Sequence, residues 1–337
     1  MSIFSGLSSL GQWLRPAPPV AGPVQDALHR AAAALGGQMQ NDAQFQRRLQ
    51  RPVAHALDYC DSLADAVPGT IDIDRSAFAS NPLVHALFAS PGDIDTMLGR
   101  SLDLRNYLEH SPSGSDNKSG EHLYSMLAMR RKEKPTMGME LDGNTLRSDV
   151  PQTLLYFADH TLVDLASSLE ATRAQLRLAA FDSLMACFTG HLESVRTERK
   201  RLRDHRAMES AHLTMVRGNA SGQDIAVHTR QITELDARLQ SVAESLQPGP
   251  VVDALAEFLA SPETSLRLEP IEVCVDRSGV IRDGKAAAEG KADTIGFPEL
   301  IARDQRRHVV VLARIRREDA ERAVAAIRDQ QARFIVI

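Results

Sequence analysis

Aromatic side chains are scarce in this chain, at 4% of its 337 residues with a single tryptophan, Trp13. That scarcity argues against a large β-sandwich core and suits helix packing by Leu and Ala. Cysteine is scarcer still. Cys60, Cys187 and Cys274 lie too far apart for the paired spacings of a zinc site or a redox dithiol. Each falls on an apolar stripe or in an expected strand, so buried reduced thiols and a cytoplasmic address are expected. No apolar run reaches the roughly 18 residues that a membrane-spanning helix needs. No basic start, apolar core and cleavage site mark a secretory signal. Net charge is −5, so the molecule as a whole has no pull toward nucleic acid.

Motifs that carry chemistry are missing as well. There is no Gly-x-Ser-x-Gly, and isolated Ser, His and Asp cannot be paired without geometry. Around Gly284, Lys285, Gly290 and Lys291 the composition suggests a phosphate-cradling loop. One residue too many separates the glycines, however, and Ala292 stands where Mg²⁺ needs a hydroxyl. Asp72 and Asp74 lack the remaining ligands of a calcium loop. No cofactor is implied.

What is present is helical patterning, centred on residues 148–247. Ser148 and Asp149 are good capping residues, and Pro151 fits a first helical turn. Leu155, Leu162, Leu165, Leu169, Leu176, Ala180, Leu184, Phe188, Leu192, Val195, Leu202, Leu213 and Val216 then recur at helical steps. This spacing predicts one helix of about 100 Å. Its stripe also repeats at eleven residues, as in Leu169, Ala180, His191, Leu202 and Leu213, which predicts a nearly straight rod. A glycine-rich turn at 218–222 leads into a return helix. There Ile225, His228, Ile232, Leu235, Leu239, Val242 and Leu246 alternate threes and fours, the signature of a coiled-coil seam. The seam is expected to join Leu202, Leu213 and Val216 to Ile225, Ile232, Leu235, Leu239, Val242 and Leu246.

Around this rod the chain divides into five stretches. Residues 1–20 hold an amphipathic segment with Ile3, Phe4, Leu7, Leu10, Trp13 and Leu14 on one face, followed by Pro16, Pro18 and Pro19. Residues 3–14 suit docking at a membrane surface or on a partner, or a frayed terminus. Residues 21–110 are helical, with Pro52 placed to kink one helix. Residues 111–147 read as a loop and a small three-stranded β-meander with Asp142-Gly143-Asn144 as a turn. Residues 248–337 read as an α+β module: a hairpin over 266–281, a short helical turn over 297–302, and a strand–helix–strand end over 308–337. The expected fold is therefore mainly α, an elongated antiparallel helical hairpin with a small β-meander insert and a C-terminal α+β module.

Three groups of residues are candidate sites. Arg196, Arg199, Lys200, Arg201, Arg203 and Arg206 form the best nucleic-acid footprint in the sequence. Interleaved Glu198 and Asp204, and the absence of aromatics among the charges, make a solvated helix face the plainer reading. His205, Glu209 and His212 share one helical face, and Glu209 with His212 has the spacing found in di-iron bundles. The return helix offers only His228 and Glu234, so a polar patch at the seam is the plainer reading. Arg147, Asp149, Asp159 and His160 gather where the meander meets the long helix, and would serve an enzyme if a deep polar pocket lay there.

The function expected from this pattern is a non-catalytic structural or interaction protein that oligomerises or scaffolds partners through the hairpin. Nucleic-acid binding through 196–206 and the Arg-rich C-terminal module (Arg303, Arg306, Arg307, Arg314, Arg316, Arg317) is the alternative. An enzyme with its site near 147–160 is the third reading.

Overall fold

The structure, a computed structural model, describes residues 22–36, 43–110, 121–142, 145–216 and 222–334. In chain order these form α1 (Gly22–Ala34), α2 (Ala43–Ala66), β1 (Ile71–Asp72), α3 (Arg75–Ser80), α4 (Pro82–Leu87), α5 (Pro91–Arg100) and α6 (Leu102–His110). Two long strands follow, β2 (His122–Asp142) and β3 (Thr145–Ala166), then α7 (Leu169–Val216), α8 (Gly222–Ser245) and α9 (Pro248–Ala260). The chain ends with β4 (Leu266–Val275), α10 (Gly284–Ala288), β5 (Asp293–Ala302), β6 (Arg307–Arg316) and α11 (Arg317–Phe334). The amphipathic segment 3–14, the loop 111–120, most of the turn at 218–222 and the last residues 335–337 lie outside the described residues.

The mainly α expectation is overturned by a six-stranded sheet in the order β3-β2-β6-β5-β4, with β1 paired to β6. Residues 148–166, expected as the first third of the long helix, are strand β3, so α7 begins only at Leu169. The small three-stranded meander is instead a long two-stranded hairpin, β2 with β3. Its base joins the C-terminal strands through β2 and β6, so insert and C-terminal module share one sheet. The stretch 297–302 is part of β5 rather than a helical turn, and Phe334 closes α11 rather than opening a strand.

Three bulges explain β3. Its register with β2 slips between Tyr124 and Met126, between Ala128 and Arg130, and between Gly138 and Glu140. At each slip β3 carries one residue more than β2, and an aspartate there has positive φ: Asp164 (56°), Asp159 (59°) and Asp149 (61°). A bulge of this kind needs a left-handed residue, usually Gly, and Asp is among the few others that tolerate it. Each extra residue flips the alternation, so the core-facing side chains fall at Leu155, Phe157, Leu162 and Leu165. Opposite the bulge at Asp164, buried Ser125 donates from Oγ to the Val163 carbonyl at 2.8 Å. Pro151 is accommodated because β3 lies at the end of the sheet order, where a missing N–H costs no ladder bond.

The chain contacts itself as two units, residues 60–180 with 263–337, and residues 1–59 with 181–262. In the first, β6 is central. Val309, Val310, Val311, Leu312 and Ala313 are all buried, because both faces of the strand are covered. One face joins the core with Ile73, Leu87, Ile94, Leu98, Leu104, Leu127, Phe157 and Val324. On the other, Val310 and Leu312 meet Ala64, Val67 and Leu176. Arg173 ties these helices by donating to the Ala64 carbonyl at 2.9 Å. β2 pairs β6 along one edge, while β5 and β1 share the other, with Arg314 forking onto Asp72 at 2.5 and 2.7 Å. Glu299 on β5 is only 2% exposed and is held by Arg131 at 3.0 Å and Arg307 at 3.4 Å. The two end strands are themselves connected: Val275 of β4 pairs with Ile281, and Val280 pairs with Leu154 of β3.

In the second unit, helices alone build the core. Leu28, Leu49, Val53, Phe181, Leu184, Phe188, Leu255 and Leu259 are buried. Phe188 meets Phe258 with ring centroids 5.4 Å apart. Arg30 pairs with Asp182 and Arg48 with Asp253, joining α1 to α7 and α2 to α9. Pro52 lies inside α2 without ending it. Among the described residues, no helix is long and apolar enough to cross a membrane.

Candidate functional site

The distal part of α7 pairs with α8. Arg206 Nε lies 3.0 Å from Asp236 Oδ1, and Glu209 Oε2 lies 2.9 Å from His228 Nδ1. Numbers rise on α7 as they fall on α8, so the helices are antiparallel. Of the expected seam, Leu202, Leu213 and Leu235 are buried, and Ile225, Ile232, Leu239, Val242 and Leu246 are half-buried. The side chain of Val216 lies outside the described residues. Counting back from Leu213 in fours and threes gives Glu209, Arg206, Leu202 and Arg199, so charged groups occupy seam positions of α7.

Those polar positions converge. Glu209, His212 and His228 place one ligand atom each within 4.8 Å of one another. The His212 and His228 rings meet edge to face at 4.6 Å. His205, one turn before Glu209, holds Nε2 3.7 Å from Glu209 Oε1. The triplet His205, Glu209 and His212 was visible in the sequence as one helical face. Its completion from α8 by His228 was not, although His228 stands at a seam position on a return helix folded about 218–222, and that was the available signal.

The basic run sits on the same part of α7. Arg196, Arg199, Arg203 and Arg206 follow steps of three and four and so form one strip, with Lys200 and Arg201 to either side. Arg196 pairs with Glu193 and Arg206 with Asp236, whereas Arg199, Lys200, Arg201 and Arg203 have no ion-pair partner among the described residues. The C-terminal arginines differ. Arg306, Arg307, Arg314, Arg316 and Arg317 pair with Asp304, Glu299, Asp72, Asp74 and Glu321, which neutralises most of that module's positive charge internally.

The region around 147–160 is not a helix start. Arg147 and Asp149 are exposed on β3 beyond the part of the hairpin that joins the sheet, and Asp159 pairs with Arg130 at 2.5 Å. His160 lines a cleft of about 670 Å³ with Asp93, Thr96, Arg100 and Asp103. A neighbouring cleft of about 700 Å³ shares Phe88 and Phe157 and adds Phe78, His85, Tyr156 and the turn at Asp276, Arg277 and Ser278. Both fall in the size range of small-molecule sites.

Their titratable groups are largely committed to the fold. His160 Nε2 donates to the Leu87 carbonyl at 2.8 Å, and its ring stacks on Phe88 at 4.7 Å. Burial keeps the imidazole pKa below its ordinary range, against the raising influence of Leu87, Asp93 and Asp159, so the ring is neutral at pH 7. Burial pushes the Asp276 carboxyl up. Hydrogen bonds from Ser278, Arg282 and the Val280 backbone outweigh it and hold the carboxyl below its usual range. Asp276 thus fixes a turn, with Gly279 at φ +80° approaching the Leu155 carbonyl.

No protein-family model matches the chain, and neither does any curated protein or solved structure.

Proposed function

We propose that the protein is a self-associating scaffold joined through the α7–α8 pair. One observation carries this reading. While Leu202, Leu213 and Leu235 fill the inside of the pair, Met208, Met215 and Val227 are 64%, 78% and 51% exposed. Met208 and Met215 are seven residues apart, on the flank of α7 that also carries His212. The antiparallel register puts Val227 on the same flank of α8. An exposed apolar row of this kind is stabilised by removal from water, and methionine adapts to an imprecise partner surface. A second copy fits best: a two-fold contact sets the same row against itself and completes a four-helix arrangement from two pairs.

Light scattering on the purified full chain tests this. A dimer that becomes monomeric in Met208→Glu/Met215→Glu, with unchanged far-UV circular dichroism, is the expected result. A wild type that stays monomeric at high concentration overturns it. A cytoplasmic address belongs to the same reading, supported by Cys60, a buried thiol whose pKa burial pushes up to about 12.

The strip that holds Arg199 and Arg203, with Lys200 beside it, supports a second reading, binding of nucleic acid along one flank of α7. It expects salt-sensitive retention of DNA or RNA that disappears in Arg199→Glu/Arg203→Glu. Absence of retention at low salt ends it.

A further inference from the structure

We propose that Glu209, His212 and His228 form a binding site for a divalent transition metal of the zinc class, which clamps α8 onto the distal part of α7. The donor set selects the metal. Two imidazoles and one carboxylate are borderline ligands suited to Zn²⁺, Co²⁺ or Ni²⁺, whereas Ca²⁺ and Mg²⁺ require a shell of oxygens.

The geometry is close to what such an ion needs. Bonds of about 2.0–2.2 Å set neighbouring ligands of a tetrahedral zinc roughly 3.4 Å apart. The three ligand atoms already lie within 4.8 Å of one another, so closing on an ion takes side-chain rotation and leaves the helices in place. Glu209 and His212 are three residues apart on one face of α7, and His228 reaches across from α8. His205, with Nε2 at 3.7 Å from Glu209 Oε1, is placed either to orient that carboxylate or to enter as a fourth ligand.

Packing alone leaves this cluster unexplained. Glu209 and His228 occupy seam positions, and unlike Arg206, whose side chain is 45% exposed at a neighbouring seam position, theirs are only 21% and 19% exposed. A polar pair at a seam fixes register at the expense of stability. Such a pair needs only two residues, and His212 is the third, with its ring at 4.6 Å from that of His228. When metal binds, the His228 Nδ1 to Glu209 hydrogen bond is exchanged for coordination, and any proton on the ligating nitrogens is released.

The inference is independent of self-association. Its test uses the full chain, titrated with Co²⁺ and then with Zn²⁺ in competition. One equivalent of Co²⁺ with tetrahedral d–d absorption is expected, displaced by Zn²⁺. His212→Ala and His228→Ala should each reduce affinity at least ~10-fold, as should Glu209→Gln. His212 is exposed, so its variant keeps the fold and decides the matter even if His228→Ala does not fold. A wild type that binds neither ion overturns the proposal. So does undiminished affinity in the His212→Ala/His228→Ala double variant, which would move the ion to another site.

Discussion

In β3, Leu155, Leu162 and Leu165 stand seven and three residues apart, and in α8, Ile225, Ile232 and Leu235 stand seven and three residues apart. In the helix the spacing comes from rotation, since 3.6 residues complete a turn. In the strand it comes from a period of two reset by bulges at Asp159 and Asp164, each adding one residue. Apolar spacing alone therefore does not separate a helix from a bulged strand. The residues in between do. Between its leucines β3 carries Tyr156 and Phe157, with Thr161 and Val163, whereas α8 carries Ala226, Arg230, Gln231 and Glu234 and no Tyr or Phe over the same span.

The sharpest way to break the comparison is to delete one buried side chain from each. Phe157 lies in the core of the sheet unit and meets Phe297 edge-on at 5.4 Å. Phe157→Ala should lower stability by about 3–5 kcal/mol, measured by urea unfolding. Leu235 is the buried apolar side chain of α8 among the described residues, in a pair whose flank is open. Leu235→Ala should cost nearer ~2 kcal/mol. Equal losses would mean that α8 is as deeply packed as β3, against the exposure of Met208 and Met215.

Glycine should act unequally at the two places. At Asp159 the backbone is already left-handed with φ 59°, so Asp159→Gly should change stability by only a few tenths of a kcal/mol. Asp159→Val, which puts a β-branched side chain there, should cost about 1–3 kcal/mol. In α8, Gln231→Gly should cost about 1 kcal/mol for lost helix propensity. Chemical denaturation of the three variants reads all of this. If Asp159→Val is harmless, the bulge is not where the register slip places it.

Much of the helical architecture was legible because its signals are local. Asn81 caps α4, accepting from Leu83 N at 2.9 Å with Pro82 next, and α8 keeps its stripe half-buried while most of its other residues are exposed. β6 was legible as a run of Val and Leu between charged ends. β3 was not. Ser148, Asp149 and Pro151 imitate a helix start, and positive φ at three aspartates leaves no mark in a hydrophobic pattern. The joining of β2 to β6 was also hidden, since nearly two hundred residues separate His122 from Arg316. The cluster of Glu209, His212 and His228 was half legible for the same reason: Glu209 and His212 share α7, but His228 comes from α8.

A small expected effect concerns the bulge at Asp164 and has a distinctive pH signature. Burial raises the Asp164 carboxyl above its ordinary pKa of 3.8, with Asp103 adding to the rise, and Oδ2 is buried without a hydrogen-bond partner. The folded state therefore holds this proton more tightly than the unfolded chain does. Its contribution is most favourable at low pH and is lost as pH rises from the unfolded value through the folded one. Asp164→Asn keeps a residue that tolerates left-handed φ and removes the charge. It should stabilise the protein at neutral pH by about 1 kcal/mol or less, because the side chain is only partly buried. The gain should shrink toward zero as pH falls below the ordinary Asp value. Urea unfolding of both proteins at neutral and acidic pH measures the difference, and a gain that does not vary with pH would mean that the backbone, not the carboxylate, sets the strain at this bulge.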